Sequence, residues 1–139
     1  MNIIYNEQKK DLPVDQLRKL FYSVGWMPSI TEEPEERLKG FMQPWLHSTL
    51  VISAWDDDRL VGAVRVLSDT IFRSIIYDLL VLPEWQGKGI GKELLRRCIE
   101  HFPNSEWLVQ TTKEISAYYV KNGFKVNNGV FLTIPCKLF

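Results

Sequence analysis

The sequence predicts one α/β (α+β) domain on a mixed central sheet, and three observations carry that prediction. Two strand-like runs, "LVISAW" (50–55) and "LVGAVRVL" (60–67), are joined by Asp56-Asp57-Asp58-Arg59, a polar hairpin signal. The run "SIIYDLLVL" (74–82) is an apolar stretch with β-branched residues, interrupted by Asp78, with the look of a strand buried on both faces. After it, helical and strand-like patterns alternate, so a hairpin is followed by parallel crossover units. At 139 residues, with no repeat, low-complexity tract or linker-like break, the chain reads as a single domain over 1–139.

The elements follow in order. "NIIY" (2–5) reads as a short first strand. Val14, Leu17, Leu20, Phe21 and Val24 recur at helical spacing over 13–24, with Gly25 as the stop. A second helix is expected over 34–43, around Leu38, Phe41 and Met42. The hairpin and the central strand come next. Ile90, Leu94, Leu95, Cys98, Ile99 and Phe102 form one apolar face of a helix that Pro103 ends. "WLVQT" (107–111) is a further strand. Thr111 and Glu114 have capping-box spacing for a helix over 114–121, closed by Asn122-Gly123. "VFLTI" (130–134) is expected to close the sheet.

Composition excludes several classes. Seventeen basic and 17 acidic side chains cancel, which gives a nucleic-acid footprint no support. No segment reaches the ~20 apolar residues of a membrane span, and the N-terminus lacks a signal-peptide core. A cytoplasmic protein without a membrane partner is expected, with a homodimer left open. Cys98 and Cys136 cannot form a metal site alone, and His47 and His101 share no ligand spacing with them. No metal is therefore expected; one disulfide between the cysteines is possible, but Cys98 falls in an apolar helical stripe, which favours two reduced core thiols.

"PEWQGKGIGKELLRRC" (83–98) is the most informative stretch. Gly87, Gly89 and Gly91 stand between a buried strand and an amphipathic helix, flanked by Lys88 and Lys92. A helix N-terminus presents unpaired N–H groups and a partial positive charge, and glycines ahead of it let an anion approach. Neither G-x-G-x-x-G nor G-x-x-x-x-G-K-[ST] can be written here, so the turn is a phosphate cradle of a different kind.

With these residues in view, "VLPEWQGKGIGKELL" resembles the acyl-CoA signature Q/R-x-x-G-x-G/A of the GNAT superfamily of N-acetyltransferases, filled by Gln86, Gly89 and Gly91. "AYYVKNGF" (117–124) is similar to that family's second motif, and "DDDRLVGAVRVLSD" (56–69) to its β2–β3 hairpin. The likeness spans roughly residues 48–124 and is nearest to small bacterial members and the plastid arylalkylamine-acetylating branch. It implies a sheet whose fourth and fifth strands splay apart, acetyl-CoA as acetyl donor, and direct transfer to a primary amine in a ternary complex. It further implies that the donor lies along Leu80, Val81, Leu82, Gln86, Gly87, Lys88, Gly89, Ile90, Gly91 and Lys92. Lys88, Lys92 and Arg96, spaced by four, read as a basic stripe toward the pyrophosphate or as a solvated face.

The chemistry needs a polarised thioester carbonyl, an acid for the leaving thiolate and a neutral amine. A backbone N–H at Leu80 or Val81 suits the first. The resemblance gives the acid to Tyr119 and leaves Tyr118 to packing; a phenol of pKa ~10 is protonated at neutral pH. Asp78, a carboxylate inside the central strand, has two readings: general base, or structural partner of a buried arginine such as Arg65. Tyr22 and Trp26, with Phe41 and Trp45, are expected either to form an aromatic mouth for the acceptor or to serve as core. The acidic run "TEEPEE" (31–36) could attract a cation or merely be solvated. A non-catalytic acyl-CoA-binding module and a protein or peptide N-acetyltransferase remain as alternatives.

Overall fold

The computed structural model describes residues 2–27 and 35–137, with the side chains of 35–39 excepted. Its five strands are β1 (Ile4–Asn6), β2 (Leu50–Asp56), β3 (Arg59–Ser68), β4 (Arg73–Val81) and β5 (Glu106–Val109). They lie side by side in sequence order, antiparallel from β1 to β4 and parallel between β4 and β5. The helices are α1 (Val14–Ser23), α2 (Glu35–Leu46), α3 (Ile90–His101) and α4 (Lys113–Lys121). This is the α/β architecture with a mixed central sheet that the sequence predicts.

Leu17 and Leu20 of α1, and Ile90, Leu94, Leu95 and Cys98 of α3, are buried with β2–β4 in one core cluster. Gln16 of α1 clamps the β2–β3 turn, its side chain accepting from the Leu60 amide and donating to the Asp58 carbonyl. Helix α2 runs through Pro44 to Leu46, beyond the expected end at 43, because buried Trp45 anchors its last turn and Ser48 hydrogen-bonds the Pro44 carbonyl. The cap of α4 lies one residue later than its sequence signal: Thr112, not Thr111, accepts from the Ile115 amide.

Two departures shape the rest of the molecule. Strand β5 stops at Val109 rather than at 111, and its pairing with β4 covers only Arg73–Ile76, so β4 continues from Tyr77 to Val81 with β5 no longer beside it. The splay implied by the resemblance is this parting. Second, residues 130–134 form no strand; Val130, Phe131, Leu132 and Ile134 stand in solvent, 65–90% exposed. Of the two cysteines, Cys98 is a core thiol whose pKa burial pushes up to about 12, whereas Cys136 is exposed rather than core. Among the described residues no helix is long and apolar enough to cross a membrane.

Candidate active site

The glycine turn is open on its outer side. Gly87 and Gly89 have φ of +75° and +86°, left-handed values that side chains rarely adopt, and a Cβ on either would meet nothing within 4 Å. Gly89 is the N-cap of α3 and supplies no side-chain cap, so the N–H groups of the helix's first turn remain available. Helix dipole, free amides and missing side chains fit an anionic group such as a pyrophosphate.

Gln86 ties the turn to the end of β4. Its side-chain amide donates to the Val81 carbonyl at 3.0 Å and closes the turn back onto the end of β4. Lys88 lies in the turn beside the Trp85 ring, ahead of α3, and not on the helix face with Lys92. Arg96 is bound to Glu93 and Glu100, a solvated network that holds the Glu93 carboxyl at about 2, first through its hydrogen bond to Arg96. The expected basic stripe is thus divided, and Lys88 and Lys92 are its members at the turn.

The register of β3 and β4 shows which backbone amide at the end of β4 faces the opening. Leu82 donates its N–H to Val61, so residues 82 and 80 turn their backbone groups toward β3. Val81, between them, faces the opposite side, where β5 has already ended. Of the expected pair, Leu80 is directed away from the opening and Val81 into it. Leu82 is likewise buried, and its amide is taken by β3.

The two adjacent tyrosines differ sharply. Tyr119 is 8% exposed, its ring edge-on to Tyr118 and Phe124. No hydrogen bond from its hydroxyl to a described residue is found, yet among the described residues no buried side-chain polar atom lacks a partner, so the phenol tip reaches solvent. Burial, and then the neighbouring Tyr118, raise its pKa to about 12. Tyr118 packs across to the glycine turn. A Cβ built on Gly91 would stand 2.5 Å from the Tyr118 hydroxyl and 3.8 Å from Val81 Cγ2, so Gly91 is what lets α4 lay this ring against the start of α3.

Asp78 is paired. Its Oδ2 accepts from Arg65 Nε at 2.7 Å, both side chains being about one-sixth exposed (15% and 17%). The pair sits at a bulge, where Arg65 opposes Asp78 and Val66 opposes Ile76, leaving Tyr77 unmatched beneath the Arg65 guanidinium. This supports the structural reading. Asp78→Asn is expected to remove about 3 kcal/mol of stability by orphaning Arg65, a fall in Tm of roughly 10 °C for a domain of this size. Activity per folded molecule should be retained. Melts and pH–rate curves on one sample check this; unchanged Tm with a lost acidic limb would make Asp78 the base.

Of the aromatic residues expected at an acceptor mouth, Tyr22 and Trp26 are exposed, whereas Trp45 is core and Phe21 binds Trp26, Phe41 and Trp45 together edge-to-face. Residues 31–34 of the acidic run lie outside the described residues, as do the side chains of Glu35 and Glu36. His47 contacts Gln43 and His101 contacts Glu7, both on the surface. Among the described residues no cluster of three or more metal-ligating side chains occurs.

Residues 25–132 match the profile described as the acetyltransferase (GNAT) domain. The chain belongs to the GNAT family. Its members are acyltransferases, and acetyl transfer is the chemistry assigned to this one. Among curated relatives, an uncharacterized N-acetyltransferase ycf52 of Porphyra purpurea is 29% identical over 128 residues, covering 87% of this chain and 70% of its own. A GCN5-related chloroplastic N-acetyltransferase of Arabidopsis thaliana is 31% identical over 64% of this chain and 40% of its own. The histone acetyltransferase TAP1 of Glycine max is 33% identical over 64% and 40%. Among solved structures, a GNAT family acetyltransferase of Streptococcus pneumoniae TIGR4 superposes with a TM-score of 0.75 at 22% identity, over 98% of this chain and 99% of its own. An aminoglycoside acetyltransferase from a soil metagenome reaches 0.72 at 23%, over 96% and 95%.

Proposed function

We propose that this GNAT enzyme moves an acetyl group from acetyl-CoA to a primary amine of a small molecule, directly and within a ternary complex. The observation that carries the reading is the conjunction at the end of β4. The Val81 amide faces the gap left by β5, directly ahead of a glycine turn whose helix dipole points into the same opening. Acetyl-CoA would supply the activated thioester. Gly87, Gly89 and the first amides of α3 would bind its pyrophosphate, and Lys88 and Lys92 would add charge. Val81 N–H would hold the thioester carbonyl and stabilise the negative charge that grows on its oxygen.

Tyr119 is the proposed acid. It holds a proton at a hydroxyl that bonds no described residue, and burial keeps the phenol neutral. Tyr118 is the competing donor, on the observation that its hydroxyl lies over Gly91. The amine must arrive neutral. An alkylamine of pKa ~10.4 is only about 0.04% neutral at pH 7, a gap of ~4.6 kcal/mol. With Asp78 held by Arg65, proton release through water is the proposed route. Exposed Tyr22 and Trp26 offer an apolar, aromatic approach for the acceptor.

The acceptor class is tested by acetyl-CoA-dependent thiol release over aryl amines, polyamines, amino acids, aminoglycosides and lysine peptides. Turnover is expected with small amines. Turnover with peptides alone would transfer the reading to a protein acceptor, in line with the histone acetyltransferase name of the Glycine max relative. Absence of acetyl-CoA binding by calorimetry would remove the donor assignment itself.

A further inference from the structure

Helix α4 carries the proposed acid, yet little of it is sunk in the rest of the molecule. Of its nine residues only Tyr119 is buried. Ile115, Tyr118 and Val120 are 37–48% exposed, so the helix has no second apolar anchor in the core. Its ends are held locally, Thr112 capping the first turn and Phe124 returning its amide to the Tyr119 carbonyl. Where such a helix sits depends on the contact beside its one anchor.

That contact is Tyr118 on Gly91. A Cβ on Gly91 would stand 2.5 Å from the Tyr118 hydroxyl oxygen but 3.5 Å from the ring carbon Cζ, an ordinary approach. The conflict is therefore with a single oxygen atom. The same Cβ would lie 3.8 Å from Val81 Cγ2, so the end of β4, the first turn of α3 and α4 meet here. Gly87 and Gly89 are different: their φ values are left-handed and a Cβ on either would meet open space. Gly91 has no left-handed φ, so an alanine there adds bulk without backbone strain.

The contact reaches the acid through one ring. Tyr118 lies edge-on to Tyr119, with centroids 5.4 Å apart and planes at 79°. A tyrosine ring cannot bend, so its hydroxyl retreats only if the whole ring swings or the helix moves. The first motion disturbs the packing on Tyr119 and the second carries Tyr119 along. Relieving a 2.5 Å approach takes a shift of about 1 Å, and misplacing a reacting group by that much can cost ~10²-fold in rate.

We infer that Gly91 and Tyr118 are positioning residues for the acid: the close approach of α4 to α3 at Gly91 sets where α4 holds Tyr119. Gly91 thus serves the neighbouring helix, whereas Gly87 and Gly89 leave the turn open to an anion. The inference rests on the acetyl-transfer reading with Tyr119 as the acid.

The test compares Gly91→Ala, Tyr118→Phe and the double variant with the wild type. Single-turnover acetyl transfer to the fastest amine of the acceptor panel is measured beside acetyl-CoA affinity by calorimetry. Gly91→Ala should slow transfer by ~10–10²-fold with Kd nearly unchanged, because the new methyl points at α4 and not into the open turn. The double variant should recover to near the wild-type rate, since the ring atom then nearest the methyl is the carbon at 3.5 Å. Amide hydrogen exchange over 113–121 needs no turnover and should follow the same order, faster in Gly91→Ala and restored in the double variant. A Gly91→Ala enzyme of full rate overturns the inference, as does a double variant no faster than Gly91→Ala. Loss of affinity in step with rate would make Gly91 a donor contact and overturn it too. Equal slowness of Tyr118→Phe and the double variant would make the Tyr118 hydroxyl itself the donor, with the same consequence. If the wild type acetylates no amine of the panel, the acetyl-transfer reading fails by itself. Exchange then decides the placement of α4: the expected order upholds the Gly91–Tyr118 seat and unchanged protection overturns it.

Discussion

Tyr119→Phe is expected to slow the acetyl-transfer step by ~10²–10⁴-fold, the usual worth of a positioned general acid, with acetyl-CoA affinity nearly unchanged. The substitution keeps the ring that packs against Tyr118 and Phe124 and deletes a hydroxyl for which no bond to a described residue is found, so the fold loses little. Tyr118→Phe is the matched control. If Tyr119 is the donor, the control should turn over near the wild-type rate in single-turnover measurements; a reversal of the two results would assign the acid to Tyr118. The pH dependence is a second handle. Burial raises the Tyr119 pKa to about 12, so the acid stays protonated through neutral and mildly alkaline pH, and loss of rate from its ionisation should begin only above pH ~10. Linkage has the same sign. The unfolded tyrosine ionises near pH ~10 and the folded one near 12, so stabilisation present below pH 10 is lost as pH rises through that window. Tyr119→Phe should therefore unfold with a shallower alkaline dependence than the wild type.

Local chemistry made most of the fold legible. The apolar run of β4, the amphipathic face of α3 and the Asp-rich turn between β2 and β3 are each decided within a few residues of themselves, and the sheet follows from their order. The misses share one physical origin: each depends on partners distant in sequence. "VFLTI" has the residue types of a strand, but a strand needs a partner, and among the described residues 130–134 pair with none and stand in solvent. Leu80 and Val81 cannot be told apart by residue type. Which amide faces the gap is set by the register of β4 on β3, and a slip of one residue would exchange them. The reach of Tyr118 to Gly91 is a contact between two helices, invisible to any motif of either. The Arg65–Asp78 pair was within reach, because a carboxylate inside a buried strand needs a partner and the facing strand carries one arginine at the right height.

That last helix contact decides which glycine can test the phosphate cradle. Any side chain at Gly91 meets the Tyr118 hydroxyl, so a substitution there reports packing before it reports binding. Gly89 is the cleaner position, with left-handed φ of +86° and open space where a Cβ would stand. Asparagine and aspartate tolerate that backbone region better than most residues and have nearly the same shape. Gly89→Asn and Gly89→Asp therefore carry similar backbone strain and differ by one negative charge. At the N-cap of α3 that charge meets the positive end of the helix dipole, so the aspartate variant should melt at or above the temperature of the asparagine variant. Acetyl-CoA affinity should respond in the opposite sense. A unit charge ~4 Å from a phosphate interacts by about 4 kcal/mol at an effective dielectric of 20, which is roughly 10³-fold in Kd. Calorimetry on the two variants should show the asparagine form binding with a modest loss and the aspartate form binding almost undetectably in low salt. Added salt should narrow the gap, because this end of α3 faces solvent and the repulsion is screened there. Equal affinities for the two variants would mean that no phosphate lies against Gly89, and the cradle would have to be sought elsewhere along the opening between β4 and β5.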